Sequence, residues 1–230
     1  MKKKELPLSE VVRDLREFYG KPIPPVTSDP FELILWEQVA YLADDDRRAQ
    51  AFRLLKERVG LTPAKILAAS IGAVAEATKA GGSIAFLERA RRIQESARIV
   101  RDEWAGDLKQ ALVLPLPKAK KSLVAFPMIG EPGAEKILLF TKTHPILGLD
   151  SNGLRVLLRL GYGRETGDYR TSYRSVQQDI APHLNSSCEW LVEAHNLLRR
   201  HGQEMCRRTN PHCPDCPLHV RCAYYNRAHG

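Results

Sequence analysis

The stretch Cys206–Cys222, CRRTNPHCPDCPLHVRC, contains four of the five cysteines of the chain within seventeen residues. Thiolates are soft ligands that bind zinc ions and iron-sulfur clusters. Four of them so close together can surround one metal centre without ligands from elsewhere in the chain. We therefore predict a metal-binding loop whose ligands are Cys206, Cys213, Cys216 and Cys222.

The spacing of these cysteines, C-x6-C-x2-C-x5-C, helps to distinguish the candidate metal centres. Structural zinc sites usually combine two short pairs of ligands that stand well apart in the sequence. Here a single close pair, Cys213 and Cys216, is flanked by single cysteines at unequal distances, which favours one loop around a 4Fe-4S cluster. Zinc and disulfide bonds are the alternatives, and disulfides are disfavoured because nothing in the chain resembles a secreted protein.

The length of the chain indicates how large a core it can form, and its net charge indicates what kind of partner it binds. The chain has 230 residues, 43% of them hydrophobic, which is enough for a sizeable core in one domain or two small ones. Its 35 Lys and Arg against 27 Asp and Glu give a net charge of +8, which favours a polyanionic partner, with simple solubility as the alternative. No apolar run resembles a signal peptide or a membrane span, so we predict a cytoplasmic protein without a membrane partner.

Hydrophobic periodicity predicts helices throughout and no strand, so the predicted fold class is all-α. The helix at 8–19 is bounded by Gly20, and Asp29 with Pro30 forms a typical helix start. Cys188 is expected in the core of a helix. Further helices are predicted at 46–59, 63–69, 71–80, 83–104, 119–125, 132–142, 172–180 and 188–201.

The helix that begins at Pro30 is apolar on nearly every face as far as Leu42, and Glu37 lies inside it. Ionised carboxylates are rarely buried without a partner. Glu37 is therefore a candidate functional group. The alternative is that Glu37 and Gln38 form the one exposed strip of this helix.

The cysteine spacing resembles the iron-sulfur loop of the endonuclease III and adenine DNA glycosylase group, within the helix-hairpin-helix DNA glycosylases. Two other segments fit this resemblance. PMIGEPGA at 127–134 is similar to the hairpin pattern Pro-Gly-Val-Gly-x-x-x-Ala, and DSNGLRVL at 150–157 is similar to the segment that begins with Asp-x-Asn in adenine glycosylases. The similarity extends over about residues 28 to 225.

The resemblance implies two helical lobes with the active site in the cleft between them. A six-helix barrel domain would span 28–146 with the helix-hairpin-helix at about 119–142, and a helical 4Fe-4S domain would combine 1–27 with 147–230. The hairpin would hold double-stranded DNA and a monovalent cation, with Gly130 giving the turn its backbone freedom. The implied DNA-binding residues are Met128, Ile129, Gly130, Gly133 and Ala134 of the hairpin, and Arg207, Arg208 and Arg221 of the cysteine loop.

The resemblance also implies the catalytic residues. Asp150 corresponds to the catalytic aspartate, with Asn152 beside it, and would stabilise positive charge on the sugar and orient water. Glu37 lies seven residues after Pro30, as the general acid of adenine glycosylases does, and therefore corresponds to that residue. Burial would keep Glu37 protonated. Tyr41 and Leu42 stand where relatives carry a Gln-rich segment, so the resemblance implies a base pocket or wedge there.

Two departures from the family pattern affect function. Met128 stands where Gly is usual, and Pro132 stands where strand-cleaving members carry their nucleophilic lysine; Lys136 is expected on the wrong side of its helix to replace it. The resemblance therefore implies a monomeric, monofunctional DNA glycosylase of base excision repair, associated with the nucleoid. The alternatives are a bifunctional glycosylase and AP lyase, a non-catalytic DNA damage-binding module and, more remotely, an electron-transfer protein.

Overall fold

The computed structural model describes residues 6–229, except the side chains of residues 228 and 229. Over this range the chain is helical without a strand, which confirms the all-α prediction. None of the helices in the described range combines the length and apolar character needed to cross a bilayer. The α-helices are α1 (Leu8–Tyr19), α2 (Pro30–Gln38), α3 (Asp45–Arg58), α4 (Pro63–Ala68), α5 (Ile71–Ala80), α6 (Phe86–Glu103), α7 (Lys109–Leu112), α8 (Leu116–Val124), α9 (Glu131–Phe140), α10 (Ser151–Leu160), α11 (Tyr169–Ile180), α12 (Cys188–Glu204) and α13 (Ala223–His229).

The chain divides into two compact units. The hairpin unit comprises Val26–His144, and the cysteine unit combines Met1–Pro25 with Pro145–Gly230. The functional division into a barrel domain and a cluster domain, with bounds at 28–146, stays a prediction.

In the hairpin unit, α2 begins as the sequence predicts but ends earlier. The side chain of Asp29 accepts hydrogen bonds from the backbone N–H groups of the first turn, and Pro30 is the first helical residue. The last residue is Gln38, so Tyr41 and Leu42 lie in an exposed loop, and Leu42 has a left-handed φ of 50°. The backbone N–H of Tyr41 donates to the carbonyl of Gly81 at 3.4 Å, so a tertiary contact replaces the next helical turn.

Gln38 is completely buried, which excludes the alternative of an exposed strip for this residue. Its Nε2 donates to Ser96 Oγ at 2.8 Å and to the carbonyl of Pro127 at 2.7 Å. A buried amide requires such partners to offset its desolvation. Gln38 thereby connects α2 both to α6 and to the turn of the hairpin.

In the cysteine unit, α10 packs on α12 at a distance that only glycine permits. A Cβ atom built on Gly202 would lie 2.7 Å from both the Cβ and the carbonyl oxygen of Asn152. Cys188 is the first residue of α12 and is half-buried, so it lies in a helix as predicted but not in the core. The closeness of the two helices sets the position of the Asp150 segment relative to the cysteine loop.

The N-terminal helix α1 packs on α12 and is tied to the cysteine loop by charge. Arg221 donates to Glu10 Oε2 at 2.6 Å and also pairs with Asp14. The expectation that Arg221 faces DNA phosphates is therefore wrong, because its guanidinium is engaged by α1.

Candidate active site and cysteine pocket

Asp150 caps the N-terminus of α10. Its Oδ1 accepts hydrogen bonds from the backbone N–H groups of Asn152 at 2.9 Å and Gly153 at 2.8 Å. Its Oδ2 accepts from Asn152 Nδ2 at 3.2 Å and lies 3.3 Å from Arg199 Nε. Hydrogen-bond donors and a positive charge stabilise the ionised form of a carboxylate.

Arg155 joins the Asp150 segment to the first cysteine of the loop. Its Nη2 donates to Asn152 Oδ1 at 2.9 Å and to the carbonyl of Gly202 at 2.6 Å. Its Nε donates to the carbonyl of Cys206 at 2.9 Å. Burial lowers the pKa of Arg155, and the fixed partners keep its fork in one orientation.

Arg159, one turn further along α10, contacts the sulfur itself. Its Nη1 lies 3.3 Å from Cys206 Sγ and donates to the carbonyl of Arg207 at 2.7 Å. Its guanidinium stacks over the ring of Tyr224 at 4.6 Å. Arg155 and Arg159 therefore hold the cysteine loop against α10 without using any carboxylate.

The four loop cysteines line one pocket, together with apolar side chains such as Val156 of α10 and Met205, which directly follows α12. All four thiols are half-buried and free of disulfide bonds. Within the described residues, no three His, Cys, Asp or Glu side chains come close enough together to hold a single metal ion.

The chemistry of the pocket fits an iron-sulfur cluster. Burial, with the charges of the other loop cysteines, raises the pKa of Cys216 to about 11, so a positive centre is needed to stabilise four thiolates here. N–H donors already face two sulfurs, from Arg159 to Cys206 and from the backbone of Leu218 to Cys216 at 3.4 Å. Such hydrogen bonds are typical of cluster ligands.

His201 also lines this pocket and is almost completely buried, with 1% of its surface exposed. Burial lowers the pKa of its imidazole to about 4. Its Nε2 lies 3.5 Å from Cys216 Sγ and its Nδ1 lies 3.0 Å from the hydroxyl of Tyr19. Burial also raises the pKa of Tyr19 to about 12, and the charges of Glu204 and Cys216 act in the same direction.

A groove with basic and aromatic residues runs along the same unit, beside the start of α10. Arg207 and Arg208 are exposed there, as the sequence predicts for phosphate-binding residues. Tyr169 is 47% exposed and lies near Asp150, and its partial burial, with that negative charge, raises the pKa of its phenol to about 12. The other charged or aromatic residues that line this groove are Arg155, Arg159, Glu165, Tyr224 and Arg227.

The hairpin lies between α8 and α9 in the other unit, and its strained residue is not the predicted one. Gly130 has φ −87° and ψ −178°, a conformation open to any residue. Met128 has the left-handed φ of 65°, at the position where the family pattern has Gly. The prediction that Gly130 supplies the backbone freedom of the turn is therefore wrong, and Met128 adopts the conformation that favours glycine.

The predicted DNA-binding residues of the hairpin differ in whether their side chains or only their backbone atoms are accessible. The side chains of Ile129 and Ala134 are buried, so only their backbone could meet DNA, while Met128 is exposed. A Cβ on Gly130 would meet nothing closer than Pro132 Cδ at 3.8 Å, and one on Gly133 would meet Ile129 Cγ2 at 3.5 Å. Packing inside the protein thus requires neither glycine, and the absence of both side chains leaves the start of α9 open to close approach.

A charged cluster joins the two hairpin helices. Lys120 Nζ of α8 donates to Glu131 Oε1 at 2.9 Å and to Glu135 Oε1 at 2.5 Å, both on α9. Burial lowers the pKa of Lys120, but the hydrogen bonds that Lys120 donates to Glu135 and Glu131 outweigh this effect and raise the pKa overall. Lys120 neutralises acidic groups that would otherwise repel a phosphate beside the hairpin.

Glu37 of α2 forms an ion pair with Lys136 of α9. Glu37 Oε1 lies 2.7 Å from Lys136 Nζ, and the side chains are 24% and 18% exposed. Glu37 thus has a cationic partner that the sequence did not indicate, and its role as the general acid stays a prediction. Residues 132 and 136 are one helical turn apart on the same face, so the prediction that Lys136 lies on the wrong side is incorrect.

Comparison with known proteins gives a consistent family. No protein-family model matches the chain. Endonuclease III of Sulfolobus acidocaldarius is 28% identical over 215 residues, covering 92% of the chain and 90% of the relative. Endonuclease III of Thermotoga maritima is 24% identical over 203 residues, covering 87% and 85%. DNA glycosylase/AP lyase ROS1 of Arabidopsis thaliana is 28% identical over 199 residues, covering 79% of the chain and 14% of the relative.

Solved structures share the fold. A trapped endonuclease III–DNA covalent intermediate matches with a TM-score of 0.76 at 20% identity, covering 98% of this chain and 100% of that one. A thermostable thymine-DNA glycosylase matches with a TM-score of 0.75 at 17% identity, covering 96% and 97%. The chain is thus similar in sequence to endonuclease III and in fold to the helix-hairpin-helix DNA glycosylases. This confirms the resemblance inferred from the cysteine spacing, the hairpin and the Asp150 segment.

Two residues at these sites have contacts that the sequence analysis did not predict. Lys136 was considered only as a replacement nucleophile, and its i, i+4 spacing from Pro132 was the signal that the two share a face of α9. Arg155 is three residues from Asn152, but its bonds to Gly202 and Cys206 depend on packing between distant segments. The structure groups Asp150 and the cysteines in one unit and Glu37 and the hairpin in the other.

Proposed function

We propose that this protein is a base-excision-repair DNA N-glycosylase that hydrolyses the bond between the sugar and a damaged or mismatched base. The observation that carries the proposal is the carboxylate of Asp150, held by the first turn of α10, Asn152 and Arg199, in a fold shared with endonuclease III. The enzyme would act on double-stranded DNA as a monomer.

The role of Asp150 follows from the charge that develops in the reaction. Breaking an N-glycosidic bond places positive charge on the sugar and negative charge on the departing base. A base inside a duplex is inaccessible, so the enzyme must first rotate the nucleotide out of the stack. An ionised Asp150, held in one orientation by its donors, would stabilise the cationic sugar and orient the attacking water.

The departing base needs a proton, and the pair of Glu37 and Lys136 contains one. In our proposal Lys136 returns it to Glu37, which passes it to the base, so the two residues act together as the general acid. Glu37 then remains the residue that meets the base, in a changed form of its predicted role.

Two observations support hydrolysis without strand cleavage. Pro132 stands at the position of the usual lysine and has no amine to attack the sugar. Lys136, on the same face of α9, has its Nζ engaged by the carboxylate of Glu37 at 2.7 Å. We therefore infer a monofunctional enzyme.

The cofactor in this proposal is a 4Fe-4S cluster held by Cys206, Cys213, Cys216 and Cys222. When bound, the cluster would supply four iron–thiolate bonds that fix the shape of the loop 206–222. Arg207 and Arg208 on this loop, with the open start of α9, would contact the phosphate backbone. Tyr41 and Leu42, exposed on their loop, remain the proposed base pocket or wedge, and the cation at the hairpin remains a prediction.

The test uses purified protein and labelled duplexes that each contain one damaged or mismatched base. Each product is divided and analysed by denaturing gel with and without hot alkali. We expect breaks only after alkali treatment, because a monofunctional glycosylase leaves an intact strand with an abasic site. The base that gives these breaks identifies the substrate.

The other outcomes separate the alternatives. Breaks without alkali that disappear in Lys136→Ala would show a bifunctional enzyme that uses a displaced lysine. Tight binding without breaks on any duplex would favour the damage-binding module and contradict the proposed chemistry.

A further inference from the structure

The ring of His201 connects α1 to the cysteine loop through two hydrogen bonds. Its Nδ1 lies 3.0 Å from the hydroxyl of Tyr19, and its Nε2 lies 3.5 Å from Cys216 Sγ. Neither bond belongs to the Asp150 segment or to the groove. His201 is buried, so water does not compete for either nitrogen.

The chemistry of the sulfur sets the direction of both bonds. A thiolate that ligates a metal carries no proton and can only accept. The Nε2 of His201 must therefore carry a hydrogen and donate it to Cys216. In the neutral imidazole Nδ1 is then an acceptor, and Tyr19 is the group that donates to it.

The position of Tyr19 is itself fixed by contacts from α12. The guanidinium of Arg200 lies 4.7 Å from the centre of the Tyr19 ring, and its Nη1 donates to the carbonyl of Tyr19 at 3.2 Å. The Tyr19 and His201 rings meet edge to face at 5.9 Å. The hydroxyl is thus held where it selects one tautomer of the histidine.

We propose that Tyr19 and His201 are positioning residues for the cofactor: Tyr19 fixes the tautomer of His201, which donates to Cys216 and raises the reduction potential of the cluster. The proposal rests on the 4Fe-4S cluster of the proposed function. A hydrogen bond to a ligating sulfur withdraws electron density from the iron and stabilises the reduced, more negative cluster. A higher reduction potential makes the cluster harder to oxidise, so the two residues protect the cluster in this protein.

The experiment measures the midpoint potential of the cluster in the purified holoprotein by protein-film voltammetry. His201→Phe keeps a planar ring and removes the donor, and Tyr19→Phe keeps its ring and removes only the hydroxyl. We expect both variants to have a lower potential than the wild type, with the larger decrease in His201→Phe. The matched control is His219→Phe, because His219 Nδ1 lies 2.7 Å from the carbonyl of Cys216 instead of its sulfur; its potential should stay closer to that of the wild type.

A second measurement covers the case in which His201→Phe does not assemble a cluster. Pulsed EPR of the oxidised cluster in D2O should show an exchangeable deuteron coupled to the cluster in the wild type, and a changed coupling in Tyr19→Phe. Unchanged potential and unchanged coupling in the Tyr19 variant would overturn the inference while leaving the cluster in place. Absence of iron and of the cluster absorption in wild-type protein would instead refute the proposed cofactor.

Discussion

Asp150 combines a structural task with its proposed catalytic one. Its carboxylate accepts from two backbone N–H groups of α10, and Asn is as good a helix cap as Asp. Asp150→Asn should therefore retain the fold and lose the negative charge that stabilises the sugar cation.

We expect Asp150→Asn to lower the single-turnover rate of base excision by about 100-fold or more, with DNA affinity retained. Asp168→Asn is the matched control, because Asp168 caps α11 in the same way and accepts from Thr171 N at 2.7 Å. Full excision activity in Asp150→Asn would refute the proposed role, and an equal loss in Asp168→Asn would indicate a general effect of cap substitution.

At the scale of the elements, the contact between α10 and α12 depends on Gly202. Its missing side chain lets the helix approach Asn152, whose Nδ2 in turn donates to Asp150. Gly202→Ala would place a methyl group 2.7 Å from the Asn152 carbonyl oxygen, and one helix would have to move.

We expect Gly202→Ala to lower the free energy of unfolding by about 1–3 kcal/mol in urea titration, the usual cost of overpacking. Excision activity should fall as well, because Asn152 is displaced. Gly72→Ala on α5 is the control: its nearest atom would be Ser70 Oγ at 3.9 Å, so it should be neutral or stabilising by up to about 1 kcal/mol. A Gly202→Ala protein as stable as the wild type would show that the helices can separate at no cost.

At the start of α9 we expect a different result, because no packing contact inside the protein requires its glycines. Gly130→Ala should leave the unfolding free energy nearly unchanged, since the φ of −87° suits alanine and its Cβ has space. If a phosphate approaches this backbone, the added methyl should weaken DNA binding by about 1.5 kcal/mol, roughly tenfold in Kd. Fluorescence anisotropy checks this, with Gly72→Ala as the control, and unchanged affinity would contradict a close phosphate contact at the hairpin.

For the whole molecule, the net charge of +8 predicts salt-sensitive DNA binding. Removing Arg207 and Arg208 together should reduce the slope of log affinity against log salt concentration by about 1.8 in magnitude, from about 0.9 per phosphate contact. The control replaces Arg13 and Arg16, which are exposed on α1, and so removes the same amount of charge. Equal slopes for the two double variants would mean that only total charge matters and that the cysteine loop makes no specific phosphate contact.

Local chemistry made much of this protein predictable. The helices at Leu8–Tyr19 and Ile71–Ala80 have their predicted bounds, and the caps at Asp29 and Asp150 form as expected. These features depend on residues close together in the chain. The cysteine spacing likewise indicated the family, because a cluster ligand set is largely a local property.

Tertiary contacts decided the rest. Packing against Gly81 ends α2 before Tyr41, and burial of Gln38 against Pro127 excludes the alternative of an exposed strip. The pairing of Glu37 with Lys136 gives the predicted acid a cationic partner from another helix. The sequence alone therefore determined the helices, their caps and the cysteine loop, whereas only the tertiary structure decided the partners of the charged side chains, because long side chains find partners from segments far apart in sequence.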